Sequence, residues 1–242
     1  MSSSNPTASS SDSTEKPRKW QALNRLQRRV LGVLVEKSKT TPDAYPMTLS
    51  GITTASNQKS NRSPLMTLEQ DDVQSTLDQL RAIGAVMEVQ GDGRVAKFRH
   101  LMNDWMGIER AELAIMTELM LRGHQSLGDL RVRASRMAAI SDLNQLRQLI
   151  DSLIKQGLMI ELTPAGRGQI VSHSLYLPEE LKKVQTQVES EKGLSSDDSE
   201  DEIETAKSPD AGGPSKTEIA ERLEKLEGQM QSVLQRLSAL ES

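Results

Sequence analysis

Arg131, Arg133 and Arg136 lie close together in the chain, and Asn144, Arg147, Gln148 and Lys155 follow at spacings that put them along one helix. Guanidinium and carboxamide groups pair with phosphate oxygens and with base edges in the major groove, so the chemistry on offer is recognition of duplex DNA. For any one of these residues alone, a solvated helix face with local ion pairs is the better reading. The cluster is what points to nucleic acid. A second basic group, Arg94, Lys97 and Arg99, is placed to touch phosphate. A third candidate is the segment TTASNQKSNRSP at 53–64, where Lys59 and Arg62 are the only charges among Asn57, Gln58 and Asn61. Two readings stand for it: a loop closed by its own Asn and Ser side chains that buttresses the helices, and a contact to an anion or nucleic acid.

Residue types that would support catalysis are sparse. The chain has no cysteine, which removes disulfides, thiolate nucleophiles and Cys-type zinc sites. Its three histidines, His100, His124 and His173, are far apart in sequence and none has a carboxylate or second histidine at ligand spacing. Neither a Gly-rich phosphate loop nor a nucleophile elbow is present. The expectation is a protein that is not an enzyme and needs no metal and no cofactor.

The elements that must carry the basic residues are announced by a repeat. VQSTLDQLRAIGAVMEVQGDGR at 73–94 matches LRQLIDSLIKQGLMIELTPAGR at 146–167, 73 positions later, with Leu77 over Ile150, Leu80 over Leu153, Gly84 over Gly157 and Arg94 over Arg167. Each copy reads as an amphipathic helix, a glycine stop and a hairpin. Upstream, Leu23 to Val35 follow helical spacing, and this helix matches Ile108–Arg122 at an offset of 85, so the first copy carries about twelve extra residues between its first and third helices. Thr48 is expected to cap a short second helix. Thr67 with Gln70 should open the third, to about Ile83, and Gly84 suits the left-handed position that ends it. The strands are expected at Ala85–Val89 and Val95–His100, joined by Gly91-Asp92-Gly93. In the second copy Ser126 should cap a helix to about Ala134, and Ser141 the helix Asp142–Gln156. Strands Leu158–Leu162 and Gln169–Leu177 follow. Three helices and a two-stranded wing give an α+β, mainly helical fold of two tandem winged helix-turn-helix domains, at 18–104 and 105–178.

The two copies differ in surface charge. The first copy's third helix opens with Glu69, Gln70, Asp71 and Asp72, carboxylates that suit a helix N-terminus but would repel phosphate. This counts against ordinary groove docking there and favours an alternative function, a protein-interaction scaffold using winged helices as docking modules.

Charge also divides the chain along its length. Residues 1–176 hold 22 Lys and Arg against 18 Asp and Glu, whereas residues 177–242 hold 8 against 16. Residues 1–17 are Ser/Thr-rich and lack apolar periodicity, so a disordered tail is expected, and 179–215, with its run SSDDSEDEIE, is expected to be an acidic disordered linker. Over 216–242, Ile219, Leu223, Leu226, Met230, Val233, Leu237 and Leu240 alternate steps of four and three. That is a coiled-coil seam through which the chain should self-associate, the competing reading being an amphipathic helix folded onto the chain's own surface. No stretch is apolar for long enough to span a bilayer and the N-terminus lacks the apolar segment of a secretory signal, so a soluble, cytoplasmic protein is expected.

Two longer motifs, TTPDAYPMTLSGITTASNQKSNRSP and LRGHQSLGDLRVRASRM, closely resemble the YceH-like family of uncharacterised bacterial proteins. The resemblance covers about Asn24 to Leu177. It implies a tandem winged-helix protein and carries no established activity or binding residues. The acidic linker and coiled-coil tail look like additions to the family's usual core.

Overall fold

The computed structural model describes residues 19–89 and 95–195, all within the contact unit Met1–Ser196. The fold is mixed, with eight α-helices and two small three-stranded sheets among these residues. The N-terminal tail 1–17, the turn Gly91-Asp92-Gly93, Arg94, the linker beyond Ser195 and the whole seam from Ile219 to Leu240 lie outside the described residues.

The first half begins with α1, Arg25–Thr40. Asn24 starts it with a reciprocal capping box: its side chain accepts from the Gln27 N–H, and Gln27 returns a bond to the Asn24 N–H, both at 2.9 Å. Apolar periodicity reaches back to Leu23, but the residues from Trp20 to Asn24 are not helical. A 3-10 turn at Pro42–Ala44 leads to strand β1, Met47–Thr48, and helix α2, Leu49–Ser56, capped by Thr48 as its sequence predicts. Helix α3, Gln70–Ala82, opens from Glu69, which with Asp72 forms the capping box expected of Thr67 and Gln70. A carboxylate at the cap satisfies the free N–H groups and also complements the helix dipole, so it wins over the threonine two residues earlier. Ile83 ends α3, and Gly84 follows at φ 73°, as expected of a left-handed stop. Strands β2, Val86–Val89, and β3, Lys97–His100, complete a sheet in the order β1-β3-β2.

A short helix α4, Met102–Met106, which the sequence pattern did not announce, connects the halves. The second half repeats the order: α5 at Arg110–Arg122, β4 at Gln125–Ser126, α6 at Leu127–Ala134, α7 at Leu143–Lys155, β5 at Met159–Glu161 and β6 at Ile170–His173, with sheet order β4-β6-β5. Ser126 caps α6 as expected, but Asp142, not Ser141, caps α7, its side chain accepting from the Gln145 N–H at 2.8 Å.

The offset between the halves resolves into steps. It is 85 residues at the starts of α1 and α5, 78 at β1 and β4, and 73 from α3 and α7 through β3 and β6. The excess of the first half therefore falls in two places: seven residues around the Pro42–Ala44 turn and five in the loop between α2 and α3.

The halves share a continuous core in which α1 packs on α5. Gly32, in the middle of α1, brings the helices close: a Cβ there would lie 3.0 Å from Leu121 Cγ and 3.5 Å from Met120 Cβ. The last described element corrects the expected domain map. Residues 178–195, assigned by composition mostly to the acidic linker, form helix α8, Pro178–Ser195. Val188 is buried and Leu181 and Val184 are half-buried, so three apolar residues spaced three and four apart tether a helix that is otherwise polar. Glu180 fixes its start through a two-pronged pair with Arg28, at 2.8 and 3.0 Å.

Candidate nucleic-acid interface

Helix α7 is sharply two-sided. Leu146, Ile150 and Leu153 are buried, while Leu143, Asn144, Arg147, Gln148, Asp151 and Lys155 form an exposed stripe. The side chains of Asn144, Arg147, Gln148 and Lys155 make no hydrogen bond or ion pair with other described residues. Arg131, at the end of α6, stands beside the start of this stripe, where its Nη1 lies 3.5 Å from the Ser141 carbonyl oxygen. Exposed Leu143 and Val132 add apolar surface at the same end. The Asp142 carboxyl is held below its usual range, chiefly by the Gln145 N–H it accepts. On the β5–β6 hairpin, Arg167 is exposed. It was not among the site candidates, although its match with Arg94 in the repeat was a signal for it.

The other candidates divide. Arg133 is drawn to its own neighbourhood, with Asp129 at 3.7 Å and a 2.7 Å bond to Gln125 Oε1. Arg136 turns inward, 3.3 Å from Glu118 and 3.7 Å from Glu36. Arg62 is wholly internal: its guanidinium grips Glu36 at 2.6 and 3.2 Å and also donates to the carbonyls of Ala55 and Asn61. Lys59 is exposed, and Lys97 and Arg99 share the outer face of β3, on either side of buried Phe98. Arg99 Nε donates to Met87 Sδ, at 2.8 Å. Arg94 lies outside the described residues.

Arg62, Glu36, Glu118, Arg122 and Arg136 together form an ionic cluster where α1 meets α5. Glu36 is 3% exposed and Glu118 is fully buried. Arg122 reaches Glu118 at 3.0 Å, and its own pKa is lowered, first by burial and then by neighbouring arginines, against the opposing pull of Glu118. The segment 53–64 is built into the same junction. Asn57 closes its loop by exchanging two bonds with the Leu68 backbone, at 2.8 and 2.9 Å. Asn61 accepts from Arg122, and the Ser63 N–H donates to the Leu121 carbonyl at 2.9 Å. Of the two readings of this segment, the buttress describes Asn57, Asn61 and Arg62. Gln58 also accepts from Arg62, leaving Lys59 as the outward-facing charge.

Helix α3, the counterpart of α7, offers a different surface. Glu69, Asp71, Asp72 and Asp78 are exposed, and its one arginine, Arg81, pairs with Asp78 at 3.3 Å and with Glu88 at 2.9 Å. A phosphate approaching α3 meets mainly carboxylates, whereas one approaching α7 meets Arg131 and Arg147 alongside Asp142 and Asp151.

A family model described as "Protein of unknown function, DUF480" matches residues 23–167, more than half of the chain. The chain belongs to the DUF480 family. Among its relatives, a UPF0502 protein of Rhodopirellula baltica is 55% identical over 158 residues, covering 65% of this chain and 67% of the relative. One from Geobacter sulfurreducens is 45% identical over 134 residues, 55% of this chain and 61% of the relative. Another, from Burkholderia cenocepacia, is 38% identical over 154 residues, 63% and 65% respectively. The chain thus spans about three fifths to two thirds of these DUF480-family relatives. The family is an uncharacterised one, in agreement with the resemblance carried by the two long motifs. Among the described residues no helix is long and apolar enough to cross a membrane.

Proposed function

We propose that this DUF480 protein is a non-enzymatic, duplex-DNA-binding protein built from two tandem winged helices, of which the second meets the DNA. The element order helix, strand, helix, helix, hairpin supports the winged-helix reading, with α7 as the helix that enters the major groove and the β5–β6 hairpin as the wing. The observation that carries the proposal is the contrast among the arginines. Arg28, Arg62, Arg122 and Arg136 are committed to carboxylates inside the molecule, whereas exposed Arg147 and Arg167 and half-buried Arg131 have no carboxylate within ion-pair distance among the described residues. Asn144 and Gln148 on the same stripe are suited to adenine edges, and Leu143 to a thymine methyl group.

Fluorescence anisotropy with a mixed-sequence duplex tests this reading. Binding should weaken steeply as salt rises from about 50 to about 200 mM, and Arg147→Glu should weaken it and lower the slope of log affinity against log salt by about one. Salt-insensitive binding, or an unaltered slope in the variant, removes α7 from the interface.

The exposed carboxylates of α3 favour a second reading for the first half, a docking module for a basic protein partner. It predicts that Asp71→Lys with Asp72→Lys abolishes capture of a partner while leaving DNA affinity unchanged or higher. Loss of DNA binding in that variant contradicts the division of labour.

A further inference from the structure

A cavity of about 390 Å³ opens between the start of α1, the loop that precedes α3, the end of α5 and helix α8. Its volume is that of a site for a small molecule. The walls are chemically divided. Met66, Leu119, Met120 and Val184 give apolar surface, while Arg25, Arg28, Arg29, Arg122 and Lys183 line it with Glu180 as the one carboxylate.

Two of these cations are already matched, Arg28 by Glu180 and Arg122 by Glu118. Arg25, Arg29 and Lys183 have no carboxylate within ion-pair distance among the described residues. Arg29 is the most telling. It is 2% exposed, and its terminal nitrogens are clamped on the carbonyls of Ser56 and Pro64, at 2.9 and 2.6 Å, which fixes its charge in the wall without a counter-ion. Burial, then Arg62 and Arg25, push its pKa down to about 10 despite the attraction of Glu36. Buried positive charge left unneutralised is costly, and an anion beside it offsets that cost.

We propose that this cavity binds a small organic anion, a carboxylate or phosphate head on an apolar body, with Arg25 and Lys183 holding the head at the mouth and Arg29 supplying charge from the wall. The apolar body lies against Met120 and Val184, so α8 is one side of the site and a bound ligand bridges α8 to α1.

Isothermal titration of the full chain with octanoate, octyl phosphate, octanol and inorganic phosphate tests it. Octanoate or octyl phosphate should saturate one site, with octanol and inorganic phosphate each at least tenfold weaker. Arg25→Glu with Lys183→Glu, both at exposed positions, should weaken the anion at least tenfold while circular dichroism and the melting temperature stay as in the parent. Octanol binding as tightly as octanoate, inorganic phosphate binding as tightly as octyl phosphate, an unchanged affinity in the double variant, or no saturation below about 1 mM overturns the proposal.

Discussion

His100 and His173 occupy equivalent positions at the ends of β3 and β6, and both are held neutral by their surroundings. Burial, then Lys39 and Arg99, bring the His100 pKa down to about 4, and burial, then Arg28, brings His173 down to about 3. Around His100 the tautomer follows from geometry. Nδ1 accepts the Met102 N–H at 3.3 Å, so Nε2 carries the proton and donates to Ser38 Oγ at 3.2 Å, and the Ser38 O–H in turn donates a hydrogen bond to the Val35 carbonyl. Protonating Nδ1 would break the first link. Because the folded value lies below the ordinary 6.5, the unfolded chain takes up protons first as pH falls. The stability contributed is whole above pH 6.5 and is lost progressively toward pH 4. His100→Gln should therefore flatten the pH dependence of the unfolding free energy between pH 6.5 and 4.5 by about 2 kcal/mol relative to the parent, read from urea melts. Parallel curves for the two proteins would show that His100 stays protonated on folding. Glu36 is a second residue on which much rests, since it faces Arg62, Arg136 and Lys37 from a buried position. Glu36→Ala leaves the Arg62 guanidinium buried without its counter-charge. The same melts should show a loss of about 3 kcal/mol, and a loss under about 1 kcal/mol would mean that Arg62 finds another partner.

At the scale of elements, the close approach of α1 and α5 depends on Gly32. Gly32→Val adds branched bulk where a single Cβ already meets Leu121 at 3.0 Å, so α1 has to move off α5. Overpacking of this kind costs about 1–3 kcal/mol, more than valine recovers in helix propensity over glycine. A melting temperature equal to the parent's would show that Leu121 simply swings aside. This junction also explains which features were legible in the sequence. Periodicity and caps are local, so α1, α2, α3, α5, α6 and α7 stand out, and Thr48, Ser126, Gly84 and Gly157 mark their ends. Strands β1 and β4 are two residues long and carry no period to read. Helix α8 was hidden because Leu181, Val184 and Val188 are sparse among charges. The exposed stripe of α7 was visible for the same reason that its buried face was. The fates of Arg62 and Arg136 were not, because their partners Glu36 and Glu118 come from helices remote in sequence, and only packing α1 on α5 brings the four together. The unmatched charge of Arg29 has the same origin.

At the scale of the whole molecule, two equivalent backbones carry different surfaces, acidic along α3 and mixed along α7, where Arg147 and Lys155 stand with Asp151, and the chain that follows α8 ends in the heptad pattern of Ile219, Leu226, Val233 and Leu240 at one seam position and Leu223, Met230 and Leu237 at the other. These seven residues lie outside the described structure, and their spacing is the argument. Read as a coiled-coil seam, a stripe repeated over about three heptads would suit a partner of the same kind, and the competing reading is a helix folded onto the chain's own surface. Joined chains would present two or more α7 stripes to one duplex. The second contact would then form at the effective concentration set by the tether, so modest single-site affinity is amplified. Leu226→Asp with Val233→Asp in the full chain places carboxylates in the seam and leaves both halves of the body untouched. Sedimentation equilibrium should then give the monomer mass where the parent gives a multiple of it. On a duplex long enough for two copies, affinity should drop at least tenfold, while on a duplex that accommodates one copy it should not change. The two readouts separate the claims: an unchanged mass rejects the seam, whereas a monomer with undiminished affinity on the long duplex retains the seam and rejects its part in DNA binding.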